Sequence, residues 1–313
     1  MKKFLIAMML ALFAAPALAG TAPNYSPPLG FWRMPSEMLG NSPYNLTGLA
    51  FDPSTNKASD VMAALDQARA AHAHIFISIV NWGQLREDPP GNFQLATWQG
   101  RYNAWCPQGH CLPLDSYVQD GTLIGLHIFE YSKPPMLGAR LSPDLDQIHQ
   151  VATYVKTLWP NVPVIIDTSK PCVFTGQNWS HAVDILLFTT FTQRWSDFSR
   201  GEDVINRGVT CTKQAGLRFM LDPNPFGGTQ AQEGMPPDTL QNFVHYTEFS
   251  IRYPGSLGTA IWRWWPSSDN NTQNNGRKQF LNLWSEQVDP GIGAAMKEIQ
   301  TCAAQRTSAA CPH

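Results

Sequence analysis

The chain has 313 residues, of which 15% are charged, and 22 Lys and Arg against 24 Asp and Glu leave a formal net charge of -2. That balance gives no electrostatic pull toward nucleic acid or an anionic membrane surface. With 23 Gly, 25 Pro and 11 Trp, this is a turn-rich, aromatic-rich chain, and no segment after the leader is apolar enough to span a bilayer.

Met1-Lys2-Lys3 gives way to an apolar run from Phe4 to Ala15, then to Ala17-Leu18-Ala19 and Gly20. A basic start, a short apolar core and a small-x-small site predict a signal peptide over residues 1–19. The run falls short of the roughly 20 residues of a spanning helix. No cysteine stands at the cleavage point, so a lipid anchor is not expected. The chain is therefore expected to be secreted or periplasmic. Residues 20–28 read as an N-terminal arm, 29–290 as one domain and 291–313 as a C-terminal helix or tail.

From residue 29 onward, apolar β-branched runs alternate with helical periodicity. The expected strands are Leu29–Arg33, Leu46–Phe51, His74–Val80, Thr122–Glu130, Val162–Asp167, Ile185–Phe191, Arg218–Asp222 and Thr259–Trp264. Several are nearly continuous apolar runs, as a strand covered on both faces requires. Between them, Ser59-Asp60 opens a helix with Val61, Leu65 and Ala68 on one face. Ser142-Pro143 opens another, carrying Leu145, Ile148, Ala152, Val155 and Trp159. Residues 201–215 form a third, closed by Gly216. Pro237-Asp238 opens a fourth, with Leu240, Phe243, Val244, Thr247 and Ile251 in line. Eight strands in βα order predict a (β/α)₈ TIM-like barrel of class α/β, irregular in its first βα units, because residues 34–45 are too few for a crossover helix. The rival is a doubly wound open sheet, but no GxGxxG loop follows any strand.

The six cysteines, Cys106, Cys111, Cys172, Cys211, Cys302 and Cys311, are an even set in an exported chain, which predicts disulfides. The favoured pairing is Cys106–Cys111, Cys172–Cys211 and Cys302–Cys311, since the first and third close short loops. No CxxC or HExxH occurs, and His72-Ala73-His74 lacks neighbouring carboxylates, so no metal site is expected. There is no GxSxG elbow for a serine esterase.

In a barrel, ligands meet the C-terminal ends of the strands. The residues there are Asp52, Asn81-Trp82, Glu130-Tyr131, Asp167-Thr168, Thr190, Thr192, Asp222, Asn224 and Arg263-Trp264-Trp265. Strict alternation puts Glu130 inward with Leu126 and Ile128, and turns His127 away. An acid shielded by aromatic neighbours holds its proton to higher pH, as a general acid needs. Glycosidic hydrolysis commonly takes two carboxylates, and Asp167 and Asp222 are the candidates for the second. Trp82, Trp264 and Trp265 offer indole faces to a sugar ring. Asn81, Tyr131 and Asn224 offer polar contacts, and Arg263 a two-pronged hydrogen bond.

Three segments carry a resemblance: Asn92-Phe93-Gln94-Leu95-Ala96-Thr97-Trp98, then Tyr117-Val118-Gln119-Asp120-Gly121-Thr122-Leu123-Ile124-Gly125, then Leu158-Trp159-Pro160. Together they resemble a family of poorly characterised exported bacterial proteins predicted to be glycoside-hydrolase-like TIM barrels, over about residues 75–265. The resemblance implies the barrel fold and a site after the fourth strand. There the relatives tend to carry Asp-Glu followed by Pro. Here the series reads Phe129-Glu130-Tyr131-Ser132, with Glu130 in the first acid's place and Tyr131 in the second's. Asn224 matches an asparagine of the relatives after strand seven.

The expected function is an exported glycoside hydrolase using Glu130 as general acid/base and Asp222 or Asp167 as the second carboxylate. No cofactor is required, and the partner is a carbohydrate or another small polar ligand. The alternative is a non-catalytic glycan- or ligand-binding barrel without a working acid pair, which the Tyr131 replacement favours. A hydrolase of a non-sugar polymer is a third reading.

Overall fold

The computed structural model describes residues 28–32, 34, 36, 39, 44–80, 93–131, 144–191, 197–224, 240–261, 298–299, 301–303 and 305. The expected leader, and nearly all of the arm and the tail, lie outside them. Eight parallel strands close into a barrel in chain order. They are β1 (Leu29–Trp32), β2 (Leu46–Ala50), β3 (His74–Ser78), β4 (Leu123–Tyr131), β5 (Val164–Thr168), β6 (Ile185–Phe191), β7 (Arg218–Asn224) and β8 (Thr259–Ile261). β1 closes on β8, with Leu29, Gly30 and Phe31 opposite Thr259, Ala260 and Ile261. The expected (β/α)₈ architecture is the one observed.

The described helices are α1 (Ala58–Ala70), α2 (Leu95–Asn103), α3 (Asp115–Gln119), α4 (Leu145–Leu158), α5 (Phe198–Gln214) and α6 (Leu240–Arg252). α1 starts where Asp60 accepts a hydrogen bond from the Lys57 backbone N–H at 2.7 Å. α4 has a different start from the one expected. Asp144 accepts from Gln147 N at 2.8 Å, and Gln147 Oε1 accepts from Asp144 N at 2.9 Å, a reciprocal cap that satisfies two orphan donors. Ser142 and Pro143 lie outside the described residues. α5 begins three residues earlier than its periodicity suggests, because Asp197 caps it. α2 and α3 were not expected. Both are short, and α2 buries only Trp98 and Tyr102, one turn apart.

Two apolar layers position the site. The outer one packs helix against strand, for example Val61, Leu65 and Ala68 of α1 and Ile148, Val151 and Val155 of α4. The inner one fills the barrel with Trp32, Leu46, Phe76, Ile165, Ile185, Leu187, Met220 and Ala260, so the lumen is a packed core rather than a pore. β4 departs from strict alternation. Its register shifts against β3 at Ile75/Phe76 and against β5 at His127/Phe129. A bulge adds one residue to one strand and resets which side chains face inward. Leu126 and Ile128 consequently pack in the outer core. His127 turns into the barrel, its ring edge-on to Trp32 at 4.8 Å. This corrects the orientation expected for all three.

Gly48 of β2 serves this packing through its missing side chain. A Cβ there would lie 2.3 Å from Phe76 Cζ and 2.9 Å from Trp32 Cε3. Phe76 is fully buried and held edge-on by Trp32 at 4.5 Å, so it has nowhere to retreat. Gly48→Ala is expected to cost about 1–3 kcal/mol by overpacking, read as a lower urea midpoint at unchanged slope.

Candidate active site

Above Trp32, Phe76 and His127, the strands turn from apolar to acidic. Glu130 on β4 stands opposite Asp167 on β5 in the parallel register. Thr189 on β6 stands opposite Asp222 on β7. Register partners on neighbouring strands project from the same face, and the β4 bulge puts Glu130 on the inner one. The three expected acids thus meet at one end of the barrel.

The acids differ in surroundings. Asp167 is 2% exposed and Asp222 0%, while Glu130 keeps partial access to solvent. The Thr189 hydroxyl lies within hydrogen-bonding reach of Asp167 Oδ1 and 3.0 Å from Asp222 Oδ2. Thr190 Oγ1 donates to the Asp222 carbonyl at 3.3 Å. Two hydrogen-bond lengths therefore separate the nearest oxygens of Asp167 and Asp222, at most about 6 Å.

Burial, and then the Asp167 carboxylate beside it, push the Glu130 carboxyl up to about 8. Burial also raises Asp167, to about 7, against hydrogen bonds from Thr189 and the Thr168 backbone that favour its ionised form. Both are consequences of placing acids over an apolar floor, where the charged form loses its hydration. Below them, burial pushes His127 down to about 3, so its imidazole is neutral and adds no charge to the site.

The other expected site residues are placed as follows. Tyr131 follows Glu130 but faces outward. It is 5% exposed, and its ring packs on Phe174 at 5.6 Å in the outer core. That location corrects its expected place at the rim. Asp52 is taken up by a turn, accepting from Ser54 N at 2.8 Å and Ser54 Oγ at 2.7 Å. Asn224 ends β7 opposite Phe191, its side chain outside the described part. Asn81, Trp82, Arg263, Trp264 and Trp265 lie outside the described residues. Among those described, no cluster of His, Cys, Asp and Glu could hold a metal ion, and no helix is long and apolar enough to cross a membrane.

The sequence reading passed over Thr189. A signal for it existed: counting by twos from the buried Ile185 and Leu187 reaches Thr189 rather than Thr190. Cys106 pairs with Cys111 and Cys172 with Cys211, as expected. Cys302 is also disulfide-bonded, and Cys311 lies outside the described residues.

No family model matches the chain, and no curated protein matches it. Solved structures do. Thermotoga maritima Cel5A, determined in complex with mannotriose, superposes with a TM-score of 0.52 at 11% identity, over 82% of this chain and 97% of that one. A GH10 protein from Paenibacillus barcinonensis gives 0.47 at 12% identity, over 87% and 97%. A GH18 chitinase from Pseudoalteromonas aurantia gives 0.46 at 14%, over 80% and 98%. At these identities the likeness shows the fold: this chain is a closed eight-stranded parallel barrel of the kind glycoside hydrolases use.

Proposed function

We propose that this protein is an exported glycoside hydrolase that cleaves a glycosidic bond at the C-terminal end of its barrel. The observation that carries the reading is the placement of Glu130, half-buried at the end of β4 and in register with a second acid, where burial raises its carboxyl pKa. Glu130 donates its proton to the leaving glycosidic oxygen. Asp222, through an ionised carboxylate, attacks the anomeric carbon or activates water. Asp167 lies on the strand beside Glu130 and shares the Thr189 hydroxyl with Asp222. Trp82, Trp264, Trp265, Asn81, Asn224 and Arg263 are proposed to hold the sugar. The disulfides fit an oxidising compartment. The mannotriose bound by the Thermotoga barrel suggests a first class of oligosaccharide to try.

The test is release of reducing ends from a panel of α- and β-linked oligosaccharides. Wild type is expected to cleave at least one class, and Asp222→Asn to cleave none. A folded Asp222→Asn protein with wild-type turnover would remove Asp222 from the proposal. One observation favours a second reading, a glycan-binding barrel without turnover: Asp167 and Asp222 are almost wholly buried, as structural acids are. Calorimetric binding of the same glycans with no reducing ends released would establish that reading instead.

A further inference from the structure

A cleft opens on the outside of the barrel, between α5 and α6, with a volume of about 550 Å³. That lies within the range of small-molecule sites, roughly 300–1,000 Å³. Glu202, Asn206 and Lys213 line it from α5, and Phe249, Arg252 and Tyr253 from the end of α6. Lys213 stands just before β7 and Tyr253 just before β8. This part of the helix layer therefore lies toward the N-terminal ends of the strands, away from Glu130, Asp167 and Asp222.

The groups in the cleft are complementary to one kind of ligand. Among the described residues, neither Lys213 nor Arg252 pairs with a carboxylate, and the covered Nε of Arg252 has no hydrogen-bond acceptor. The one acid is already tied, since Glu202 Oε1 meets His245 Nε2 at 2.9 Å. Its second oxygen is left to accept, and the balance of charge favours an anion. The Tyr253 hydroxyl donates to Asn206 Oδ1 at 2.8 Å. That bond fixes the amide and leaves both protons of its NH₂ group to donate. Tyr253 also packs edge-on against Phe219 at 5.7 Å and Phe249 at 5.6 Å. Lys213 Nζ lies 5.5 Å from the Phe219 ring centre, so the ammonium and the aromatic surface meet in one place.

We infer that this cleft binds a saccharide bearing a carboxylate, a uronic acid, as a second ligand site outside the barrel mouth. The carboxylate sits on Arg252 and Lys213, the hydroxyls on Asn206 and Glu202, and the ring against Tyr253 and Phe249. A bare phosphate would satisfy the cations but would face the Glu202 carboxylate and leave the aromatic surface uncovered. A neutral sugar would use the amide and the rings but leave both cations unpaired. A sugar acid uses every group. The inference goes beyond the hydrolase reading and does not depend on it.

The experiment is an NMR titration of the full chain at neutral pH with three probes: methyl β-D-glucuronide, methyl β-D-glucoside and inorganic phosphate. The first two differ only in the carboxylate. The glucuronide is expected to bind at least about tenfold more tightly than either of the others, the size of one charge-assisted hydrogen bond. Added salt should erode that preference. Arg252→Gln and Lys213→Glu should each weaken glucuronide binding by about tenfold. Lys213 is exposed, so its replacement reads the site without loading the core. Asp222→Asn should bind the glucuronide as wild type does, which separates this cleft from the barrel mouth. Equal affinity for glucuronide and glucoside, or no glucuronide binding, overturns the inference. Phosphate binding as tight as the glucuronide's overturns the sugar class. Loss of binding in Asp222→Asn with retention in both cleft variants overturns the location, whether or not any glycan is cleaved.

Discussion

Glu130→Gln is expected to lower kcat on a responsive glycan by about 10²–10⁴-fold, the usual contribution of a positioned general acid, with little change in KM. Glutamine matches the shape of a protonated glutamic acid but has no acidic proton to give. Three further results would separate loss of acid catalysis from damage to the fold. The alkaline limb of the wild-type profile, set by a group raised to about 8, should vanish from the residual activity. Aryl glycosides with good leaving groups need no protonation and should lose much less. Stability should move the other way. The folded Glu130 binds its proton more tightly than the unfolded chain does, so wild-type stability falls as pH rises from about 4.5 through about 8. Glutamine carries no ionisation to penalise. The variant should match wild type at pH 4 and exceed it at pH 8. Unchanged kcat in a folded Glu130→Gln protein would end the role proposed for Glu130.

The barrel was legible because it rests on periodicity. All eight strands begin within two residues of their expected starts, since runs such as Ile185–Phe191 must be apolar on both faces to lie between a packed lumen and a helix layer. What periodicity could not give was the phase of β4. Alternation counted back from Glu130 reaches Leu126 and Ile128, and the count fails because one register shift, at His127/Phe129, intervenes. A bulge is set by pairing with neighbouring strands and leaves no mark in a single strand's sequence. Glu130 faces inward because it lies beyond that shift, out of phase with Leu126 and Ile128. Thr189 stayed hidden for another reason: its role appears only when β5, β6 and β7 stand side by side. The motif segments mark scaffold more than chemistry. Trp98 packs on Phe129 at 4.5 Å. Asp120 accepts from Thr122 N at 3.0 Å across the turn into β4. Trp159 Nε1 donates to the Leu112 carbonyl at 3.0 Å. These contacts build the helix layer beside β4.

Replacing Cys172 and Cys211 together by Ala should destabilise the protein by about 4 kcal/mol, and replacing Cys106 and Cys111 by about half of that. The difference follows from the length of chain each bridge closes. The first spans a separation of 39 residues, the second of 5, and the unfolded chain loses more freedom when the longer loop is tied. The native contacts point the same way. Cys172 lies in the short helical turn Pro171–Phe174 after β5, and Cys211 in the last turns of α5. The bridge thus pins the turn that leaves the Asp167 strand. Phe174 in that turn is fully buried between Tyr131 at 5.6 Å and Trp179 at 4.9 Å, and Tyr131 is the neighbour of Glu130. Urea midpoints of the two double variants, measured without reductant, check the order. A larger loss for the Cys106 and Cys111 pair would mean that native packing around the small loop outweighs chain entropy. Loosening the turn should also reach the acids. At a temperature where both variants remain folded, the Cys172 and Cys211 variant should lose more turnover than the other, because only its bridge holds a residue packed against the strand end that carries Glu130.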